Sequence, residues 1–169
     1  MIRHPKHAGF TLIEILLYIA ICSTLLVSVS LFVGVATSAR VKTNTITEVD
    51  QQGSIVLDKI AGAIRDAAAI TAPSAGTDGD TLTLMPTGSS DQTTFGVNNG
   101  MLQIARGAES PGALTNNRVT VDSFNVTNLS QSSENTIIQI SITLSHKNTS
   151  GRNEFAYSKT FTTSAEVRK

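Results

Sequence analysis

Between Phe10 and Ala39 the chain carries a single charged residue, Glu14, in a run of 30 residues that is otherwise mostly Leu, Ile, Val, Ala and Ser. As a helix this run is about 45 Å long against a hydrocarbon core of about 30 Å, so it spans a bilayer with length to spare. It is also longer than the apolar core of a cleaved secretory signal. Past Ala39 the apolar residues thin out without losing order. Val49, Val56, Ile60, Ile64 and Ala67 recur at steps of seven, four, four and three, while Asp50, Asp58, Lys59, Arg65 and Asp66 fall mostly off that stripe. This spacing predicts one face of an amphipathic helix. The two patterns join into a single helix predicted from about Thr11 to about Ile70, roughly 90 Å if unbroken. The junction Ala72–Pro73 closes it, because proline disfavours helix for the residue before it. The weakest stretch is Thr43–Thr47, rich in β-branched residues, and Gly34 and Gly53 are further soft points.

After Pro73 the period changes from that of a helix to that of a strand. Ser74–Asp80 reads as a loop. Thr81–Met85 alternates, with Leu82 and Leu84 on one face. Phe95 and Val97, then Leu102 and Ile104, flank Asn99–Gly100, a dipeptide suited to a type I′ hairpin. In that register Val97 faces Leu102 and Phe95 faces Ile104. Val119 and Val121 alternate and Phe124 and Val126 resume out of phase, which predicts a bulge near Asp122–Ser123. Ile138, Ile140, Ile142 and Leu144 alternate cleanly. Phe155, Tyr157 and Phe161 are assigned to a last strand after a polar turn at Lys147–Asn153. The expected fold class is α+β: a long N-terminal helix packed on an antiparallel β-sheet. The helix stripe and the apolar sheet face each need a partner, so the stripe is expected against Leu84, Val97, Ile104, Ile140 and Ile142.

Composition narrows the function classes. The formal net charge is zero over 169 residues, and there is no Trp. Neither a basic surface nor a stacking platform for nucleic acid is expected, so nucleic acid is not an expected partner. Cys22, inside the apolar run, is the only cysteine, so no intrachain disulfide supports the rest of the chain. No catalytic, metal or cofactor site is expected. Asp78–Gly79–Asp80 offers too few acids for tight calcium binding and reads as a turn. His146, the only histidine after residue 7, has no partner of zinc-ligating type. No nucleophile-elbow motif surrounds any serine. Asn125, Asn128 and Asn148 begin glycosylation-type tripeptides, which chance explains in so Asn/Ser/Thr-rich a chain.

Glu14 is the exception to this bland inventory. A carboxylate in a membrane segment costs roughly 2.5–3.5 kcal/mol at mid-bilayer, less near the interface, and so marks a functional position. It sits in Gly9–Phe10–Thr11–Leu12–Ile13–Glu14, after a short basic leader with Arg3 and Lys6 and no acid. This segment resembles the type IV pilin signal, also called the class III signal peptide. The resemblance implies cleavage by a membrane-embedded prepilin peptidase between Gly9 and Phe10, N-methylation of Phe10, and pairing of Glu14 with the N-terminal ammonium of a neighbouring subunit during assembly. Removing the leader leaves eleven Lys and Arg against thirteen Asp and Glu, a net charge near −2. Basic residues flank the apolar run on both sides, so charge bias alone barely orients it. The resemblance implies a cytoplasmic leader.

Weaker likeness extends further along the chain. Ile60–Ala67 is similar to a recurrent helix end of minor pilins and pseudopilins, in the group of J-type pseudopilins and W-type minor pilins, and Val167–Lys169 is similar to their sheet-ending tail. The expected organisation is a leader at 1–9, a transmembrane or filament-core half helix at 10–39, an amphipathic half at 40–72 and the β-sheet of an exterior domain at 73–169. The function implied is a structural subunit, a minor pilin or pseudopilin, that assembles into or primes a type IV pilus or a type II secretion pseudopilus, and not an enzyme. Its expected partners are the prepilin peptidase, other pilin subunits, the inner-membrane assembly platform and, before assembly, membrane lipid. Its expected place is the cytoplasmic membrane of a bacterium, single-pass, with the C-terminal domain outside the cytoplasm, and then the filament. The alternative is a pilin-anchored surface binding protein, an adhesin or DNA-uptake receptor. The absence of a large added domain or a disulfide-bounded loop favours the assembly role.

Overall fold

The computed structural model describes residues 9–130 and 136–168. Among the described residues a helix, α1, runs Leu12–Arg65 and is followed by nine strands: β1 Ala67–Ala72, β2 Asp78–Gly79, β3 Thr81–Pro86, β4 Thr93–Asn98, β5 Met101–Arg106, β6 Gly112–Ala113, β7 Val119–Asn128, β8 Ile137–His146 and β9 Ser158–Glu166. The chain divides into two units, Met1–Arg40 and Val41–Lys169, with α1 contributing to both. The architecture is α+β and pilin-like, a long N-terminal helix packed on antiparallel sheets.

In the second unit the helix stripe is buried as its spacing requires. Val49, Val56, Ile60 and Ile64 are fully shielded. Thr45 and Gly53 complete the face at steps of four and three. The Thr45 hydroxyl donates to the Val41 carbonyl at 3.0 Å, which satisfies it locally. Gly53, read from sequence as a soft point, has a packing reason: a methyl group there would overlap the Phe161 ring. The helix is unbroken through Thr43–Thr47.

Three expectations are corrected. The helix does not reach Ile70, and the half expected to run to residue 72 stops at Arg65. Residues Ala67–Ala72 instead pair antiparallel with β3. A run of alanine favours helix locally, but this segment covers a sheet edge that would otherwise be left with unpaired N–H and C=O groups. The turn is fixed at Asp66, whose carbonyl accepts from both the Thr87 N–H and the Thr87 hydroxyl at 3.0 Å. Second, the expected single sheet is two, in the orders β1-β3-β4-β5-β6 and β2-β7-β8-β9. The loop Ser74–Asp80 supplies β2, which joins β7 rather than its sequence neighbour β3. Third, of the three aromatics assigned to the last strand only Phe161 is in it, because β9 begins at Ser158 and leaves both Tyr157 and Phe155 outside. Phe155 ends a short 3-10 turn, Asn153–Phe155, and stacks on the His146 ring with centroids 5.4 Å apart. Lys42 on α1 holds that turn, its Nζ donating to the Ala156 carbonyl at 2.6 Å and the Asn153 carbonyl at 3.3 Å.

The remaining strand registers agree with the patterning. Val97 pairs with Leu102 and Phe95 with Ile104. Asn99 and Gly100 both have positive φ, 51° and 71°, as a type I′ turn needs. The β7–β8 register shifts between Val121 and Ser123, at the expected bulge. Leu82, Leu84, Phe95 and Leu102 from one sheet and Val119, Val126, Ile138, Ile140, Ile142 and Leu144 from the other share one core with the helix stripe. Of the sheet residues expected under the stripe, Leu84, Ile140 and Ile142 are buried, Ile104 is half-buried against the core, and Val97 is 40% exposed near the hairpin tip.

Candidate functional site

The first unit builds the site from a helix start. Thr11 precedes the first helical residue, Leu12, and its side-chain oxygen accepts the Glu14 N–H at 3.3 Å. This is an N-cap. Thr11–Leu12–Ile13–Glu14 has the spacing of a capping box, with the acid at the third helical position. Glu14 therefore lies in the first turn, where unpaired backbone N–H groups and the helix dipole favour negative charge. One turn further on, Tyr18 adds a weak contact, its hydroxyl donating to Glu14 Oε1 at 3.5 Å. Thr11 and Tyr18 are the site residues that the charge pattern passes over. The signals that mark them are a hydroxyl three residues before the acid and a phenol four residues after it.

Gly9 and Phe10, the residues expected at the cleavage point, lie just before the helix and are exposed, Phe10 at 72%. The structure thus brings Phe10 and Glu14 into one helix-initiating segment. The basic leader residues Arg3 and Lys6 lie outside the described residues.

Downstream of Glu14 the helix is made compatible with lipid by satisfying its own polar side chains. The hydroxyls of Ser23, Thr24, Ser28, Ser30 and Thr37 donate to carbonyls three or four residues back at 2.8–2.9 Å. A hydroxyl bonded in this way exposes little unpaired polarity to a hydrocarbon solvent. α1 is long and apolar enough to cross a membrane, and the residues of its apolar window are all unburied. Glu14 remains the one charge of this segment without a local countercharge among the described residues.

Elsewhere the candidates of the sequence are engaged in structure. Asp78 and Gly79 pair with Thr127 and Val126. Asn128 is buried, and its amide donates to the Pro73 carbonyl at 2.9 Å. Among the described residues no three His, Cys, Asp or Glu side chains gather in a way that could hold a metal ion. Arg65 and Asp66 make no ion pair among the described residues.

Residues 4–30 match the family model of the prokaryotic N-terminal methylation motif, the class III signal peptide of type IV pilins. The match covers Gly9, Phe10 and Glu14 and ends inside the apolar segment. No curated protein and no solved structure matches the chain. The motif implies processing by a prepilin peptidase and assembly with pilins, and with the apolar helix it points to membrane anchoring.

Proposed function

We propose that the chain is a structural filament subunit, a minor pilin or pseudopilin, that assembles into or primes a type IV pilus or a type II secretion pseudopilus. The observation that carries this reading is a lone carboxylate, Glu14, in the first turn of an apolar helix within a matched N-terminal methylation motif. Residues 1–9 are removed as a leader, and cleavage after Gly9 makes Phe10 the new N-terminus. Its α-ammonium then lies four residues from Glu14, about 6 Å along a helix axis. In a neighbour shifted axially by about one turn, the two charges meet between chains. Opposite charges in a dry environment are tolerated together and costly apart, so the pair favours adding a subunit in one register. Methylation of Phe10 keeps the positive charge and adds apolar surface. The apolar segment 10–39 holds the subunit in the cytoplasmic membrane, with the β-rich domain outside the cytoplasm, until the assembly platform transfers it to the filament.

Replacement of Glu14 tests this reading. In Glu14→Ala the segment becomes more apolar, so membrane insertion is expected to be unchanged. Incorporation into sedimentable filaments is expected to fall at least about tenfold, the equivalent of roughly 1.4 kcal/mol of lost pairing. Wild-type incorporation of the variant would overturn the assignment of Glu14 to the neighbour's ammonium.

A further inference from the structure

Within the unit Val41–Lys169 two grooves near opposite ends of its helix carry opposite charge. The first, of about 740 Å³, lies near the helix C-terminus with Ala63, Leu84 and Ile104 in its floor. It and an adjoining groove are rimmed by four carboxylates, Asp58, Asp66, Asp91 and Glu109, against two cations, Lys59 and Arg106. None of these six forms an ion pair among the described residues. The second, of about 550 Å³, lies beside the first helical residues of the unit and is lined by Glu48, Arg118 and Lys147. Lys42 and Arg152 flank it, so this end holds four cations against Glu48 and Glu154. Both acids are already committed, Glu48 to Arg118 at 3.5 Å and Glu154 to Arg152 at 3.0 Å. The residues rimming the first groove and its neighbour are therefore acidic by two charges, and those lining and flanking the second are basic by two.

The basic end presents a shape as well as a charge. Lys147–Arg152 forms an exposed turn whose tip, Thr149–Ser150–Gly151, is small, with Gly151 at φ 67°. The Asn148 amide closes the turn by donating to the Arg152 carbonyl at 2.8 Å. A narrow tip flanked by two cations matches a groove with an apolar floor and an acidic rim. We propose that the acidic groove of one chain receives the Lys147–Arg152 turn of a second copy of this chain. The inference rests on the filament-subunit reading and names a docking surface for it. Asn44 beside the basic groove and Ala63 in the acidic one are 19 residues apart on the same helix, about 28 Å along its axis. A contact joining these two surfaces is heterologous, and in the filament reading on which this inference rests neighbouring chains are offset along the axis, so it does not close on itself. It therefore propagates as an open head-to-tail row.

The test uses the full chain with its assembly machinery, in a Cys22→Ser background that removes the native thiol. Chains carrying Ala108→Cys, at the acidic groove, and Ser150→Cys, at the turn tip, are co-expressed with different tags and oxidised. A disulfide-linked heterodimer is expected in assembled material. Adding Lys147→Glu and Arg152→Glu to the Ser150→Cys chain should lower its yield at least about tenfold, the equivalent of roughly 1.4 kcal/mol. Adding Asp91→Lys and Glu109→Lys to the other chain should restore it, which a purely structural effect of the first changes would not do. A heterodimer yield indifferent to charge reversal, a loss that the charge swap does not restore, or cross-linking to a different pilin in place of the second copy would each overturn the proposal. Absence of the heterodimer in material that is still processed at Phe10 and still depends on Glu14 for assembly overturns this docking alone. Absence of the heterodimer together with loss of that processing and dependence removes the filament reading as well.

Discussion

Glu14 illustrates how one residue can serve two states. In the isolated chain its carboxylate sits in the first helical turn, where the helix dipole favours it, while the Thr11 side chain caps its backbone N–H. In the filament proposed above the same carboxylate is open to a stronger partner, because none of the described residues offers it a countercharge. Gly53 and Gly62 separate two roles of glycine in the helix. A Cβ at Gly53 runs into Phe161, whereas one at Gly62 meets nothing within 4 Å. In a soluble fragment starting after Ala39, Gly53→Ala is expected to destabilise by about 1–3 kcal/mol through overpacking. Gly62→Ala is expected to stabilise by up to about 1 kcal/mol through helix propensity. Urea denaturation reads both, and shifts of the same sign would contradict the contact with Phe161. Lys159 makes a pH-dependent contribution to stability. Its hydrogen bond to Asp50, 3.0 Å, raises its pKa, with the charge of Asp50 adding to the effect. A raised lysine pKa means stabilisation that is present in full below the ordinary value of 10.5 and lost as pH climbs through the raised one. The denaturation midpoints of wild type and Asp50→Asn should therefore differ slightly at neutral pH and converge in strong alkali. A gap that persists there would remove the pair from the account.

At the scale of elements, the helix stripe is the feature most open to a direct stability measurement. Ile60 is fully buried and Lys59, its neighbour, is exposed. Ile60→Ala is expected to cost about 2–5 kcal/mol. That is a large share of the roughly 5–15 kcal/mol typical of a domain, and this one has no cysteine to cross-link it. Lys59→Ala should cost little, so equal urea midpoints for the two variants would mean that the stripe does not face the sheets. This stripe, the Asn99–Gly100 hairpin and the β7 bulge were legible in the sequence because each has a local period or turn chemistry that admits one reading. The end of the helix was not. Ala67–Ala72 has helical propensity and becomes a strand only because β3 offers it an edge, a long-range fact with no local mark. Phe155 misled for a similar reason, since its aromatic alternation with Tyr157 mimics a strand while Lys42, 111 residues from Asn153, holds the segment in a turn. The division into two sheets falls between β6 and β7, consecutive strands that do not pair, and β2, which crosses to β7, is two residues long and carries no period at all.

For the whole molecule, the legible part of the site is its covalent part. Gly9, Phe10 and Glu14 lie within one six-residue stretch, and the matched motif covers all three. The cap from Thr11 and the contact from Tyr18 needed the helix start to be placed before they gained a meaning. The two oppositely charged grooves were not legible, because each collects residues from distant segments: Asp58 to Glu109 in one, Val41 to Phe155 in the other. The filament-subunit reading proposed above turns on one processing event at Phe10. Intact-mass analysis of the mature N-terminus, from cells with and without the prepilin peptidase, tests that event most directly. The account predicts a chain beginning at Phe10 and one methyl group heavier than its sequence when the peptidase is present, and the full chain with its leader when it is absent. Assembled material that retains Met1, or that begins at Phe10 without dependence on the peptidase, would contradict it.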